Sequence, residues 1–179
     1  LYTASKVYVD NSSVINVSSK TKGNGGEVII WSEKSTIAKG KILATGGILS
    51  GDGGFIETSS RGYLNINELN IYTKSPNGKN GNWLIDPTNI WIKNPGDPTV
   101  VLTDVDNFTD PDKDVNGSEL DVSKIETAGA DITLQATQNI YFEADFFSNL
   151  SNSQNITADA GGSIIVTNPI STTKNLFLT

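Results

Sequence analysis

The chain contains no cysteine, no methionine and no histidine. The absence of cysteine excludes disulfides, thiol nucleophiles and thiolate metal sites, and the absence of histidine excludes a Ser-His-Asp triad. Because the initiator methionine is also missing, we expect the chain to be a mature or excised piece of a longer protein. A cysteine-free composition fits an exported bacterial protein that folds without covalent cross-links.

Positive charge is also scarce. The net charge is −7 and Arg61 is the single arginine, whereas a nucleic-acid partner requires clustered lysine and arginine. No apolar run approaches the roughly 20 residues of a transmembrane helix, and no signal peptide is evident. We therefore expect neither a nucleic-acid partner nor a transmembrane segment.

Hydrophobic residues make up only 36% of the chain, while Asn, Ser, Thr and Gly together make up about two-fifths. Val, Ile, Leu and aromatic residues nevertheless recur in short alternating runs, which disfavours disorder. Such runs, separated by Gly, Asn and Ser, favour strands over helices.

A repeat of 28 residues organises the first half of the chain. GNGGEVIIWSEKSTIA begins at Gly23 and GDGGFIETSSRGYLNI begins at Gly51, and glycines recur at Gly25, Gly53 and Gly81. Shifted by the same interval, apolar residues fall on apolar residues. We therefore predict four stacked columns: Val28–Ile56–Leu84, Ile15–Leu43–Ile71, Thr36–Leu64–Ile92 and Val17–Thr45–Thr73.

This period predicts an all-β fold, a parallel β-helix (β-solenoid) with about 28 residues per coil and loop excursions. Alternation places Val28, Ile30, Ile56 and Thr58 inward and Ile29 outward. The glycine pairs then mark the corner before each strand, and corner Asn and Thr can hydrogen-bond along the axis. On the order of six coils would form a rod about 30 Å long.

The period stops after Ile92, which divides the chain into regular coils (1–92), an Asp-, Pro- and Asn-rich excursion (93–122) and further coils (123–179). The excursion includes a candidate strand at Thr99–Thr103. Ser118–Gly129 is the best helix candidate, with Leu120 and Ile125 inward. In the last part, Ile132 and Ile164 appear to occupy equivalent positions, 32 residues apart.

Four motifs in this order carry a family resemblance: GGEVIIWS (Gly25–Ser32), GKILATGG (Gly40–Gly47), GDGGFIETS (Gly51–Ser59) and WLIDPTNI (Trp83–Ile90). Together they resemble the filamentous hemagglutinin-like exoproteins of two-partner secretion, which include the high-molecular-weight adhesins. The family commonly has Trp-Leu-Leu-Asp-Pro, and Ile85 replaces the second leucine here. This substitution conserves volume.

The resemblance implies a right-handed parallel β-helix that is secreted or exposed on the surface of a Gram-negative type of bacterium. It implies an outer-membrane transporter as the partner of the full-length protein, and a host or neighbour-cell glycan or protein as receptor. It also implies a role in virulence, through adhesion or contact-dependent delivery.

The Trp83–Pro87 motif has two interpretations. Trp83 could be an exposed platform for stacking a sugar. Alternatively, the motif terminates the coils, with Trp83 covering the core, Asp86 capping a turn and Pro87 ending the strand.

Asp112, Asp114 and Asn116 form the first half of a calcium loop of the EF-hand type, with Gly117 following. The position that should supply a bidentate carboxylate is Ser123, so Glu119 or Asp121 would have to substitute. The alternative is a solvated acidic loop. No other cofactor is indicated.

Acceptor sequences for N-glycosylation occur at Asn11, Asn16, Asn107, Asn116, Asn149 and Asn155. With so much Asn, Ser and Thr, about four would arise by chance.

We expect no enzyme and assign no catalytic residue. Polysaccharide-degrading β-helices need paired outer carboxylates, whereas the predicted outward column of Ile29, Glu57 and Ile85 contains one. The sequence therefore predicts an adhesin or rigid stalk. A structural fibre or toxin-delivery stalk is the alternative, and a polysaccharide-degrading enzyme is the third.

Overall fold

The computed structural model describes residues 3–96, 117–147, 155–172 and 174–179. In chain order the strands are β1 (Lys6–Val9), β2 (Val14–Asn16), β3 (Glu27–Ser32), β4 (Ser35–Ala38), β5 (Gly40–Leu43), β6 (Phe55–Ser60), β7 (Tyr63–Asn65), β8 (Leu69–Tyr72), β9 (Asn82–Pro87), β10 (Ile90–Lys93), β11 (Ser118–Asp121), β12 (Asp131–Ala136), β13 (Ile140–Phe142), β14 (Phe146–Phe147), β15 (Ile156–Ala160), β16 (Ile164–Val166), β17 (Ile170–Ser171) and β18 (Leu176–Leu178). Helix α1 (Val122–Thr127) lies between β11 and β12.

The strands build a parallel β-solenoid of about five turns, with successive turns about 28 residues apart. Face 1 stacks β3, β6, β9, β12, β15 and β18. Face 2 contains β1, β4, β7, β11, β10, β13 and β16, and face 3 contains β2, β5, β8, β14 and β17. Every strand pair in the described residues is parallel. The predicted fold class is therefore confirmed.

The core is a continuous stack of inward side chains. On β3, Ile30 is buried while Ile29 is 57% exposed, and on β6 both Ile56 and Thr58 are fully buried. The predicted alternation is thus confirmed, because inward residues of one coil are covered by those of the next.

Hydroxyl side chains complete the core where the sequence is poor in apolar residues. Ser32 Oγ lies 2.8 Å from Thr36 Oγ1 and 3.3 Å from Ser60 Oγ. Thr36 Oγ1 also donates to the Ser59 carbonyl at 2.9 Å. Since each buried hydroxyl has a partner, its desolvation is compensated.

Side-chain amides link successive coils, as the sequence predicted for corner asparagines. Asn89 Oδ1 accepts from the Asn139 amide at 3.1 Å, and Asn139 Oδ1 accepts from the Ser163 amide at 2.9 Å. These bonds satisfy backbone donors at corners, where no strand partner is present.

The predicted column Val28–Ile56–Leu84 is wrong at its last member. Val28 pairs with Ile56, but Ile56 pairs with Trp83, so the offset between β6 and β9 is one residue shorter than 28. With Leu84 inward, Asp86 would also be buried, whereas the observed parity buries Trp83 and Ile85. Keeping the carboxylate out of the core explains the shift.

Two further columns differ from the prediction. Ile15 pairs with Ile42 rather than Leu43, and Ile42 pairs with Ile71. Val17 donates to the carbonyl of Leu43, and Ala44 donates to the carbonyl of Tyr72, so Ala44 and not Thr45 lies between Val17 and Thr73. The interval of 28 is therefore an average, and individual corners are longer or shorter by one residue.

In the last coils, Ile132 and Ile164 are not equivalent. Ile132 pairs with Ile156 on face 1, whereas Ile164 pairs with Ile140 on face 2. The prediction is wrong because these coils are shorter than 28 residues, and a similar short motif lies on two different faces.

Strand β11 is inserted out of sequence order. It pairs with β10 (Ile90↔Ser118, Ile92↔Leu120) and continues to β7 through the bridge between Tyr63 and Gly117. Thus β11, within the predicted excursion, forms part of face 2, and Thr36–Leu64 continues through Ser118 to Ile90 rather than Ile92. The candidate strand Thr99–Thr103 lies outside the described residues.

Helix α1 follows β11 and confirms the helix candidate in part, since residues 118–121 are strand. Asp121 caps the helix by accepting from the Ser123 amide at 2.8 Å. Leu120 and Ile125 are fully buried, as the sequence predicted.

The inward parity of β6 can be tested with two isoleucines that have opposite environments. Ile56→Asp places a charge in the core and should lower the free energy of unfolding by about 3–5 kcal/mol. The matched change Ile29→Asp, on the outer surface, should cost less than about 1 kcal/mol. Chemical denaturation followed by circular dichroism measures both, and equal losses would contradict the alternation.

The register of β9 gives a second test. Trp83→Ala should destabilise the chain by about 3–5 kcal/mol, because it empties a buried site. Leu84→Ala should cost roughly 1 kcal/mol or less, because Leu84 faces outward. The reverse order of the two denaturation midpoints would restore the strict 28-residue register.

Candidate functional site

The most elaborate surface feature is a set of three stacked corner loops, residues 17–26, 44–54 and 73–81, which connect face 3 to face 1. We name it the corner ridge. Backbone hydrogen bonds join its layers, including Ser19 N to Thr45 O at 3.0 Å and Gly46 N to Lys74 O at 3.3 Å. The Asp52 amide donates to Asn24 Oδ1, and Asp52 Oδ1 accepts from the Lys79 amide, both at 2.8 Å. The loops are therefore as firmly layered as the strands.

The repeated glycines stand where these layers meet. A Cβ on Gly25 would overlap the Ala44 carbonyl, one on Gly53 the Thr73 carbonyl, and one on Gly81 the Gly54 carbonyl. Gly81 lies over Gly54 rather than Gly53, in line with the shifted register of β9. The motif is thus required by close approach of backbone to backbone.

The tips of the three loops stack as Lys20–Thr21, Ile48–Leu49 and Pro76–Asn77. Leu49 N donates to Thr21 O at 2.9 Å, and Asn77 Nδ2 donates to Ile48 O at 2.7 Å. Ile48 and Leu49 are nevertheless 62% and 59% exposed. Rigid backbone therefore holds two aliphatic side chains in water.

Two concave surfaces flank the ridge. One, of about 480 Å³, is lined by Lys20, Ile48, Lys74 and Pro76 among others. The other, of about 560 Å³, runs along glycine backbone beside face 1 and includes Phe55 and the amides of Asn24, Asn80 and Asn82. The sequence analysis identified the glycines but not these surfaces.

The Trp83 motif has neither predicted role. Trp83 is 1% exposed and its Nε1 donates to Thr58 Oγ1 at 3.0 Å, so no ring face is available to a sugar. The coils continue past it, because β12 pairs with β9. Pro87 does end β9, but Asp86 lies within the strand, opposite Ser59, rather than at a turn.

The register shift also changes the outer carboxylates. Leu84, not Ile85, follows Glu57 in the outward column, and Asp86 lies diagonally across from Glu57. Partial burial of Asp86 raises the pKa of its carboxyl, and the charge of Glu57 raises it further. Ser59 Oγ donates to Glu57 Oε1 at 2.7 Å, which favours the ionised form of Glu57. The structure thus brings two carboxylates together where one was expected.

The calcium candidates Asp112, Asp114 and Asn116 lie outside the described residues. Of the two substitute ligands, Glu119 pairs with Lys93 at 3.6 Å and Asp121 caps α1. Within the described ranges, no three acidic side chains form a group that could hold a metal ion.

Three of the glycosylation candidates, Asn107, Asn116 and Asn149, also lie outside the described residues. Asn11 and Asn16 are exposed, and Asn16 Oδ1 accepts from the Ser18 amide at 3.0 Å. Asn155 is half-buried, and its Nδ2 donates to Asp131 Oδ2 at 3.0 Å. A glycan on Asn155 would have to replace that hydrogen bond.

One cluster escaped sequence reasoning because β11 is inserted. Lys93 Nζ lies 3.6 Å from Glu119 Oε1 and 3.4 Å from Glu143 Oε2. Next to it, the rings of Trp91 and Tyr141 stack with centroids 5.4 Å apart. The Trp91–Tyr141 and Lys93–Glu143 pairs extend along face 2, so this cluster stabilises the coil that contains the inserted strand.

Helix α1 has six residues, and no helix in the described part of the chain could span a membrane. No protein-family model matches the chain, and no curated protein matches it.

The Glu57–Asp86 pair gives a titration test. A raised pKa means that the folded state binds the Asp86 proton more tightly than the unfolded chain, whose ordinary value is 3.8. Stability from this group is therefore present at low pH and is lost as pH rises through the raised pKa. Asp86→Asn should remove this loss and increase the melting temperature at neutral pH.

Carboxyl ¹³C shifts measured against pH should place the pKa of Asp86 above 3.8. Glu57→Gln should lower that pKa only partly, because burial is the larger cause. The control Glu27→Gln should leave it unchanged. An unaltered Asp86 titration in Glu57→Gln would show that the two carboxylates do not interact.

Proposed function

We propose that this chain is a non-enzymatic segment of a large secreted or surface-anchored β-helical exoprotein, in which it acts as an adhesin or rigid stalk in cell-surface attachment. The observation that carries the proposal is the layered solenoid, whose axial hydrogen bonds extend from the strands into the corner ridge. Such a rod holds side surfaces at a fixed distance from its point of attachment.

The resemblance to filamentous hemagglutinin-like exoproteins supports the same proposal. It supplies the outer-membrane transporter of two-partner secretion as partner of the full-length protein, and the outside of a Gram-negative type of bacterium as location. The receptor would be a glycan or protein of a host or neighbouring cell.

A structural fibre or toxin-delivery stalk would use the same rod without a ligand. The Glu57–Asp86 pair is the specific observation in favour of a polysaccharide-degrading enzyme, because paired carboxylates can serve as acid and base. The absence of a clustered metal group or enclosed cleft beside this pair in the described residues makes the attachment role the better supported one.

Bead attachment tests the proposal. Beads carrying the folded chain should bind epithelial or bacterial cells well above beads carrying Ile56→Asp, because attachment needs the layered surface. Equal binding by both would contradict an adhesive role of the fold. No binding, together with a rod that resists extension in single-molecule pulling, would favour the stalk alone. Release of unsaturated uronate from acidic polysaccharides, lost in Asp86→Asn, would establish the enzyme instead.

A further inference from the structure

The corner ridge has a charge opposite to that of the whole chain. Its three loops contain four lysines and one acidic residue, Asp52, within a chain of net charge −7. All four lysines are exposed: Lys20, Lys22, Lys74 and Lys79. Lys20 and Lys22 belong to the loop below Ile48–Leu49, and Lys74 and Lys79 belong to the loop above. Positive charge therefore borders the exposed aliphatic pair on both sides along the axis.

The aliphatic pair is held out by the fold. Leu49 N donates to Thr21 O and Ile48 O accepts from Asn77 Nδ2, so the tip backbone is fixed to the loops on either side. The two side chains are 62% and 59% exposed although the core lies one corner away. Pro76, also exposed, adds apolar surface next to Ile48.

Apolar side chains at the tip of a rigid loop, with lysines around them, match the two layers of an anionic bilayer surface. Lysines are attracted to acidic headgroups, and aliphatic side chains gain free energy at the boundary of headgroups and acyl chains. A soluble polyanion would use the lysines but leave Ile48 and Leu49 in water. The combination therefore favours a lipid surface over a free acidic polysaccharide.

We propose that the corner ridge docks the side of the rod onto an anionic lipid surface, with Ile48 and Leu49 entering the interface and the flanking lysines contacting headgroups. The ridge spans three coils, so the rod axis lies roughly parallel to the membrane. This inference rests on the proposed attachment function and gives it a specific target.

Co-sedimentation with vesicles tests the proposal, using equal parts phosphatidylglycerol and phosphatidylcholine against phosphatidylcholine alone. The chain should bind the anionic vesicles and be released by salt, because screening weakens lysine–headgroup attraction. Ile48→Ser with Leu49→Ser should weaken binding at least tenfold. Lys20→Gln with Lys22→Gln should weaken it about twentyfold, at roughly fivefold per lysine.

Matched controls separate the ridge from general stickiness and charge. Ile29→Ser removes an equally exposed isoleucine from face 1, and Lys34→Gln with Lys174→Gln removes two exposed lysines outside the ridge. Both controls should bind like the parent chain, and all variants should keep the parent melting temperature, since the altered side chains are at the surface.

Two results would overturn the lipid proposal. One is binding to a sulfated polysaccharide column with no binding to anionic vesicles, and the other is vesicle binding that survives both ridge variants. If beads still attach to cells in either case, the attachment function stands and only its lipid target is wrong. If neither vesicles nor cells are bound, both proposals fail.

Discussion

The structure depends on one constraint: a coil of this chain cannot bury its own apolar face. Ile56 is fully buried because residues of the coils below and above cover it, and the same holds for Ile42 and Ile85. Parallel backbone hydrogen bonds bring each coil to the height at which this covering occurs. Burial and hydrogen bonding therefore act along the same axis, and each coil stabilises its neighbours.

This constraint fixes side-chain parity but leaves coil length free. Inward residues must lie over inward residues, and a corner can gain or lose a residue outside the stack. Partners on face 1 are Val28 and Ile56, then Ile56 and Trp83, and the later coils are shorter still. Even the out-of-order strand β11 is accommodated, because it presents Leu120 inward and pairs in parallel with β10.

The sequence was sufficient for whatever follows from repetition and alternation. Two glycine-led copies at one interval predicted the solenoid, and the runs around Ile30 and Ile56 predicted which side chains face inward. It was insufficient where one residue decides between two parities. Choosing Trp83 over Leu84 required weighing the burial of Asp86 two positions later. The insertion of β11 could not be predicted, because its pairing with β10 depends on how the intervening chain returns.

The corner ridge was missed for a related reason. Gly46, Gly47, Ile48 and Leu49 resemble the end of one strand motif, and only stacking shows that Ile48 and Leu49 point into solvent beside lysines from other coils. A solenoid separates these roles in space: the strands maintain the stack, while a corner is constrained only by its backbone contacts. Side chains at the tips can therefore change without altering the core. The cost of exposing Ile48 and Leu49 is small for the fold, and the lysines around them become useful only on an anionic surface.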